Sequence, residues 1–587
     1  MAILPPIICT LKCTHLREDR EIKKPKSSFF SACGLILKNV LGGRHKFVVR
    51  YSIQLSYGCL TKNVKITLQF SKDEQDEHIK SKCFLLILTN IQTQVKTMIK
   101  SIQWLKIPST VHVAIICTLL LTCQPVLTSS EDTYWIINVT IVDPIEGAQP
   151  SKNVLIKQGR ITEITNYEET DKVFSMRSID GEGLYLIPGL WDAHVHYAFD
   201  DNMRPAMNAL FLAHGVTSVR DTGGPLGLVT EVRNRALEQP TKAPNVYIAG
   251  PLIDGTPNVY NDSSPNYPLL SVENNSPTSI QSNTQLLIDN QVDFLKAYEM
   301  LSEAQYLELM RLASEEGLLV TGHIPLSMDL FSAVEAGLNG MEHLRNIEMS
   351  IATNSRELLK ERLSILENPD SLNGAELRSS LHAKQRMNAI QMIDSTLLSQ
   401  AAELLAQNSV WQTPTLALYT NFATREFLKE DQMSQLKKLP MELAEQWRAA
   451  MDPMRNIATD PNADIAVYTR WMKKMVQYLH SNNVPFMAGT DTPIGYLIPG
   501  QSLHKELELL VESGFSNEHT LQAATINPAI FLGVEAETGQ IKVGYNADLV
   551  LLKGNPLQNI SFTQQIHAVI KNGTFWSISE LDSILIR

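Results

Sequence analysis

Past Cys123 the chain contains no cysteine. All seven, Cys9, Cys13, Cys33, Cys59, Cys83, Cys117 and Cys123, fall in the first 123 of 587 residues. The body therefore folds without disulfides and offers no thiolate to a metal or to nucleophilic chemistry. It is short of positive charge as well. Residues 1–97 hold 16 Lys+Arg against 7 Asp+Glu, leaving 35 against 55 for the rest, so the front is near +9 and the body near −20. Residues 130–587 contain no basic stripe interleaved with aromatics, and an acidic body without one has no electrostatic footprint for nucleic acid. Internal repeats and low-complexity tracts are missing too.

Long hydrophobic runs are also scarce. The apolar stretch Val111–Leu121 falls short of the roughly 20 residues of a transmembrane helix. Met98, Lys100 and Lys106 precede it, and small and polar residues follow through Ser130. A basic start, a short apolar centre and a polar exit are the parts of a signal peptide, so residues 98–130 are read as one. Export to the periplasm or the cell exterior is expected, with membrane attachment only through this N-terminal segment. Cys123 follows Leu120-Leu121-Thr122, a loose lipoprotein-type box with Thr where a small residue is usual. A signal beginning at Met98 leaves residues 1–97 as a spurious or disordered extension.

The hydrophobic fraction, 44%, supplies a large core, and the length suits a barrel of about 250–400 residues with an accessory domain. From Thr133 to Leu186 short β-rich runs alternate with turns: Trp135–Val142, Asn153–Lys157, Gly159–Ile164 and Gly183–Leu186. Beyond Gly189, apolar segments of four to seven residues alternate with helical text, the rhythm of βα units on a parallel sheet. Strands are expected to end near His196, Asp221, Gly250, Lys296, His323, His343, Thr415 and Asp491. These eight make an α/β fold, a (β/α)8 TIM barrel over residues 187–533. After Gly533 the β-type text returns in Gly539–Val543, Ala547–Leu552 and Ile566–Lys571. Residues 131–186 plus 534–587 are therefore expected to form a small β-sandwich from both ends of the mature chain. The long connections 344–409 and 416–483 are rich in helix formers and should cover the barrel mouth, where substrate is chosen.

His194 and His196 stand in Pro188-Gly-Leu-Trp-Asp-Ala-His-Val-His-Tyr197. In a strand, residues i and i+2 share a face, so both imidazoles reach one metal. Among 14 histidines such a pair is weak on its own. Four further strand ends each add one group: Lys296 in Asp293-Phe-Leu-Lys-Ala297, His323 in Leu318-Leu-Val-Thr-Gly-His323, His343 in Gly340-Met-Glu-His343, and Asp491 in Val484-Pro-Phe-Met-Ala-Gly-Thr-Asp491. Singly, each reads as an ordinary buried or strand-end residue; together they read as a metal centre. Imidazole and carboxylate donors without thiolate suit Zn²⁺ first, with Mn²⁺, Co²⁺ or Fe²⁺ as alternatives. Tyr197, Arg220, Tyr298, Arg345 and Thr492 flank strand ends as candidate substrate contacts. Arg220 and Arg345 suit a substrate carboxylate or, equally, a structural ion pair. His504 reads as packing or support for the ligands, and His214, His382, His480, His519 and His567 as structural.

This constellation resembles the amidohydrolase superfamily, in particular its prolidase-like and imidazolonepropionase-like branch. The resemblance spans about residues 133–580 and includes Gly539-Gln-Ile-Lys-Val-Gly-Tyr-Asn-Ala-Asp-Leu-Val-Leu-Leu552, similar to the family's closing sandwich motif. Residues 1–130 match nothing in it. The resemblance implies two divalent metal ions, one held by His194, His196 and Asp491 and one by His323 and His343, with Lys296 bridging them as a carbamate. An ammonium has no lone pair for a metal. The lysine therefore fits only after its neutral amine has taken up carbon dioxide and become an anion. The implied reaction is hydrolysis of an amide C–N bond in a small substrate, a dipeptide such as Xaa-Pro or an N-acyl amino acid, by a metal-activated hydroxide. Asp491 would take the water proton and pass it to the leaving nitrogen. Ring opening of a cyclic amide, imidazolone or lactone is the alternative, although imidazolonepropionases lack the bridging lysine. A silent barrel kept for binding is more remote, since such relatives lose ligands and all six are here. A homo-oligomer is compatible with all of this.

Overall fold

A computed structural model describes residues 48–54, 63–69, 133–168, 177–369 and 372–585. The chain divides into two units, Met1–Leu127 and Thr128–Arg587. In the first, β1 (Val48–Gln54) and β2 (Asn63–Gln69) pair antiparallel, a strand pair inside the stretch read as a spurious or disordered extension. The expected signal peptide, 98–130, and Cys123 lie outside the described residues. Among the described residues no helix is long and apolar enough to cross a membrane.

The second unit opens with β3 (Thr133–Asp143), β4 (Gly147–Lys157), β5 (Arg160–Asn166), β6 (Ser178–Asp180) and β7 (Tyr185–Pro188). β-Branched and aromatic residues dominate β3, whose text is TYWIINVTIVD, as a pleated surface favours. Between β4 and β5 only Gln158 and Gly159 intervene, with φ of 53° and 76°. Two positive φ values make the tight turn whose twist matches that of the strands.

Short parallel strands follow. β8 (Leu190–Val195), β9 (Val216–Asp221) and β10 (Asn245–Ile248) form one sheet, in the order β10-β9-β8. β11 (Leu252–Asp254), β12 (Ser271–Glu273), β13 (Leu295–Ala297), β14 (Val320–Gly322), β15 (Gly340–Glu342) and β16 (Trp411–Thr413) form another, in the order β12-β11-β13-β14-β15-β16. Most of these strands are buried on both faces, as parallel sheets under helices are. Some of the helices start at reciprocal caps, such as Ser302 with Gln305 and Asn373 with Glu376, each pairing two otherwise orphaned backbone donors. The long connections are helical as expected, with Ser355–Glu367, Gly374–Gln391 and Ser395–Gln407 in the first and Leu416–Thr424, Met441–Met451 and Asp464–Ser481 in the second.

A single closed barrel was expected, and here the structure differs: the parallel ladders run as two sheets. The expected eighth strand, 484–491, makes only isolated parallel bridges, Gln412 with Phe486 and Val195 with Thr492. Its text explains why. Pro485 has no N–H for a ladder, and Asp491 leaves the β region with φ 68°. The segment nevertheless stands between β16 and β8: Gln412 N donates to Pro485 O at 2.9 Å, and Asp491 N donates to His194 O at 2.8 Å.

The chain then returns to its first sheet through β17 (Leu549–Leu552), β18 (Ile566–Lys571) and β19 (Thr574–Ser577). Where a two-sheet sandwich was expected, hydrogen bonds link one eight-stranded sheet, β19-β18-β17-β7-β3-β4-β5 with β6 on β3. The reason is β7, which pairs antiparallel with β17 on one side and parallel with β3 on the other. Alternation along these strands divides the core. Leu186, Leu549, Leu551, Ala568 and Ile570 pack with Tyr134, Ile136 and Val154, while Ile187, Val550, Leu552 and Val569 join the large core around the parallel strands, as a two-residue repeat requires.

Candidate metal centre

All six predicted ligands line one cavity of about 160 Å³. His194, near the end of β8, and His196, just beyond it, share a face and turn their Nε2 atoms to Asp491 Oδ1, at 3.3 and 3.2 Å. His343 Nε2 lies 3.6 Å from Asp491 Oδ2. The rings of His323 and His343 are 5.1 Å apart, and those of His194 and His343 are 4.7 Å apart. Lys296, in the middle of β13, is 1% exposed. Three non-glycine residues here hold left-handed backbone: His343 at φ 61°, Asp491 at φ 68° and Thr415 at φ 50°. Each such residue costs about 1–3 kcal/mol, and such strain collects where function requires a fixed geometry.

The other ring nitrogen of every histidine is engaged. His194 Nδ1 meets Glu342 Oε2 at 2.7 Å, His196 Nδ1 meets Gly223 O at 2.9 Å, His323 Nδ1 meets Glu299 Oε1 at 2.9 Å and His343 Nδ1 meets Thr415 Oγ1 at 2.6 Å. An imidazole whose Nδ1–H is spent in this way presents a lone pair at Nε2, the tautomer a metal needs. His194 Nε2, His323 Nε2 and Asp491 Oδ1 are buried without a hydrogen-bond partner. Orphaned buried acceptors converging on one point are what a cation satisfies. His194, His196 and Asp491 in particular stand close enough together to share one ion.

Charge states agree with that fit at His323 and His343. Burial lowers His323 to about 3 and takes His343 well below its ordinary value, so both are neutral, as ligands must be. His196 is raised instead, because the Asp491 carboxylate outweighs its burial. Burial would raise Asp491, but the imidazoles around it, His194 foremost, hold it well below the carboxylate range. Lys296 is brought down to about 8 by burial, against the pull of Glu342 and Asp491.

Of the expected substrate contacts, Tyr298 and Arg345 line the cavity, and Tyr197, Arg220 and Thr492 do not. Tyr197 is buried, its hydroxyl donating to Asn208 Oδ1 at 2.8 Å. Thr492 Oγ1 donates to Leu497 O at 2.9 Å. Arg220 is wholly buried, its Nη2 donating to Glu342 Oε1 at 2.6 Å and its Nε to Ala193 O at 2.7 Å, with the guanidinium over the rings of Phe294 and Phe531. The physical reason is alternation. Tyr197 and Thr492 are chain neighbours of His196 and Asp491, so their side chains leave on the other face, while Arg220 is held by Glu342, behind His194. His504 bonds Thr563 Oγ1 and His214 O and is packing. His382, read as structural, pairs its Nε2 with Glu299 Oε2 at 2.9 Å and so braces the carboxylate that holds His323.

Sequence reasoning missed those carboxylates. Glu342 is fully buried and accepts from Arg220, from Thr321 Oγ1 at 2.6 Å and from His194. Glu299 gathers His323, His382 and Asn346 Nδ2, with Arg345 and Arg378 each 3.8 Å away. The available signal was adjacency: Glu342 directly precedes His343, and Glu299 follows Lys296 by three residues. Arg378, also missed, comes from helix Gly374–Gln391. Its Nη1 donates to Tyr298 Oη at 3.2 Å, and its guanidinium lies over the rings of Tyr260 and Tyr267.

Comparison with known proteins adds to this geometry. Over 88 residues the chain is 38% identical to the ochratoxinase of Aspergillus niger, covering 15% of this chain and 17% of that one. Over 109 residues it is 33% identical to the imidazolonepropionase of Vibrio cholerae serotype O1, covering 17% and 26%. It thus spans about a sixth to a quarter of the length of these curated relatives. In fold it is similar to a Xaa-Pro dipeptidase solved with bound methionine in the active site, with a TM-score of 0.54 and 18% identity over 76% of this chain and 100% of that one. The amidohydrolase family itself matches residues 185–575, from β7 through the parallel strands and their donor set to β19. With that match running through well over half of its length, the chain belongs to the amidohydrolase family.

Proposed function

We propose that this chain is a binuclear metal-dependent amidohydrolase that cleaves the amide C–N bond of a small carboxylate-bearing substrate, a dipeptide such as Xaa-Pro or an N-acyl amino acid. The observation that carries the reading is the convergence of unpartnered His194 Nε2, His323 Nε2 and Asp491 Oδ1 beside buried Lys296. His194, His196 and Asp491 would hold one divalent ion and His323 and His343 another, Zn²⁺ by preference and Mn²⁺, Co²⁺ or Fe²⁺ otherwise. Such ions, when bound, supply an activated water and polarise the amide carbonyl. With Lys296 near 8, about a tenth of its amine is neutral at pH 7, which is the form that takes up carbon dioxide to become the bridging carbamate. Asp491, kept ionised, takes a proton from water and passes it to the leaving nitrogen.

The substrate carboxylate follows from a charge count. Arg345 and Arg378 both line the cavity and share a single carboxylate, Glu299. Burial keeps His323 and His382 neutral beside it. One positive charge is therefore left over next to the donor cluster, and an anionic substrate group neutralises it. On this reading the two parallel sheets are arcs of a (β/α)8 barrel with 484–491 as its eighth strand, and the enzyme is exported through the signal at 98–130.

Metal analysis of the full chain, with a hydrolysis screen across dipeptides, N-acyl amino acids and cyclic amides, tests the proposal. Two ions per chain and turnover of open-chain amides are expected. One ion per chain, or full metal content and activity in Lys296→Ala or Asp491→Asn, would refute it.

A further inference from the structure

The helix Leu416–Thr424 presents two different faces to the cavity. Successive helical positions turn by about 100°, so Tyr419 and its neighbour Leu418 look in different directions. Tyr419 lies beneath the Arg345 guanidinium, 5.9 Å from its ring centroid. Leu418 and Phe422, four positions apart, stand side by side on the other face. There they meet Gly495, where an added Cβ would lie 2.8 Å from Phe422 Cζ and 3.1 Å from Leu418 Cδ1. Gly495 has φ 65°, so a left-handed glycine lets the turn press against both side chains and fix them. Ile494, from the same turn, is the third apolar group lining this part of the cavity.

Phe422 is the anomaly. Apart from its last residue, Thr424, the helix is otherwise buried, with Ala417 at 1%, Tyr419 at 5% and Leu418 at 6%, yet Phe422 is 43% exposed. A single exposed aromatic on an outer surface needs no explanation. This one lines the cavity that holds the metal donors, where apolar walls with a few placed polar groups are how small ligands are gripped. The charged residues of the cavity, Lys296, Arg345, Arg378 and Asp491, stand outside this trio.

We propose that Leu418, Phe422 and Ile494 form a selectivity wall, so that the substrate carries, besides its carboxylate, one large apolar group, aliphatic or aromatic, that packs on Phe422. The inference rests on the carboxylate-bearing amide substrate proposed above. Desolvating the exposed ring and a substrate side chain together favours such compounds. A charged side chain in the same place would be stripped of water with no partner.

The test uses the metal-loaded full chain and two dipeptide series, X-Gly and Gly-X, with X as Gly, Leu, Phe, Asp or Lys. In one series Leu and Phe should exceed Gly in kcat/KM by about tenfold or more, with Asp and Lys below Gly. In Phe422→Ala the Phe-to-Gly ratio of kcat/KM should fall about tenfold, and in Phe422→Leu the preference should move from Phe toward Leu. Half-exposed Phe422 carries little of the core, and a melting curve for each variant confirms folding. A flat series, or a ratio unchanged in folded Phe422→Ala and Phe422→Leu, overturns the inference while leaving the amidohydrolase reading intact. Where neither series is hydrolysed, the same ratios are read on X-Pro dipeptides and N-acetyl-X acids, and if none of these turns over it is the reading beneath that fails, and the wall with it.

Discussion

Replacing Glu342 with Gln keeps the shape of the side chain and removes its charge. Three donors converge on this fully buried carboxylate: Arg220 Nη2 and Thr321 Oγ1 at 2.6 Å, and His194 Nδ1 at 2.7 Å. Arg220 is itself 0% exposed and has no other carboxylate within ion-pairing distance among the described residues. Removing one partner of a buried pair costs about 3–5 kcal/mol, because the remaining charge stays desolvated. Set against a total of about 5–15 kcal/mol, Glu342→Gln should fold but melt on the order of 10 °C lower. His194 also loses the anionic acceptor that orients its ring, which lowers metal affinity by about 10–100-fold. Thermal unfolding of the metal-free protein reads the first effect, and ion retention across a chelator series reads the second. The double variant Glu342→Gln with Arg220→Met supplies the control, since removing both charges relieves the uncompensated one. It should therefore melt above the single variant. A Glu342→Gln protein that melts within about 2 °C of the parent, or a double variant whose losses simply add, would show that the pair does not hold the site in the way described.

Other perturbations isolate other parts. Thr415→Val deletes the hydroxyl held 2.6 Å from His343 Nδ1 while keeping the branched shape; affinity for the second ion should fall about 10–100-fold, and an unchanged affinity across a chelator series would count against that role for Thr415. Arg378→Ala should raise KM for carboxylate substrates by tenfold or more, as loss of a charged contact does, and should spare their carboxamide analogues; equal losses on both would exclude a carboxylate contact. Glu506, buried beneath the helix that carries Phe422, accepts from Ala417 N and is raised by its burial to about 8. From the unfolded value near 4.3 up to that pH the folded state holds the extra proton, so stability declines as pH rises. The melting temperature of Glu506→Gln relative to the parent should accordingly climb between pH 5 and pH 8, and a constant offset would refute the assignment.

That the predicted donors gather in one cavity could be read because the information is local. A strand-end histidine and its i+2 neighbour share a face by geometry alone, and β9 ends at the expected Asp221 with β8 and β15 one residue short of His196 and His343. What could not be read is long-range. The carboxylate holding His194 lies 148 residues away, and the same carboxylate claims Arg220 across 122 residues. In the text, an arginine beside a strand end looks the same whether it faces substrate or a buried glutamate. Arg378 illustrates the other limit. It reaches the cavity from the second turn of a helix in a long connection, where the pattern fixes that a helix forms but not which residue the fold turns inward. The eighth strand was legible as an apolar segment, while Pro485 and the left-handed Asp491 that interrupt its ladder become consequential only once the neighbours are in place.

The sheet that joins both ends of the second unit also constrains how the protein is made. β7 hands the chain to β8, the carrier of His194 and His196, after a single residue, yet one of its two neighbours, β17, begins only at Leu549. While the chain is being synthesised, β7 has β3 alone to lean on, through Thr140 and Ile141, and the edge awaiting β17 stays open. β8 finds its own partner β9 early, but β7, the strand that anchors its start, is completed late. A nascent chain stopped between Asp491 and Leu549 would carry every proposed ligand and still lack β17, the second neighbour of the strand that leads into β8. Support of the site from the β7 side is in this way tied to synthesis of β17, some 58 residues after the last proposed ligand.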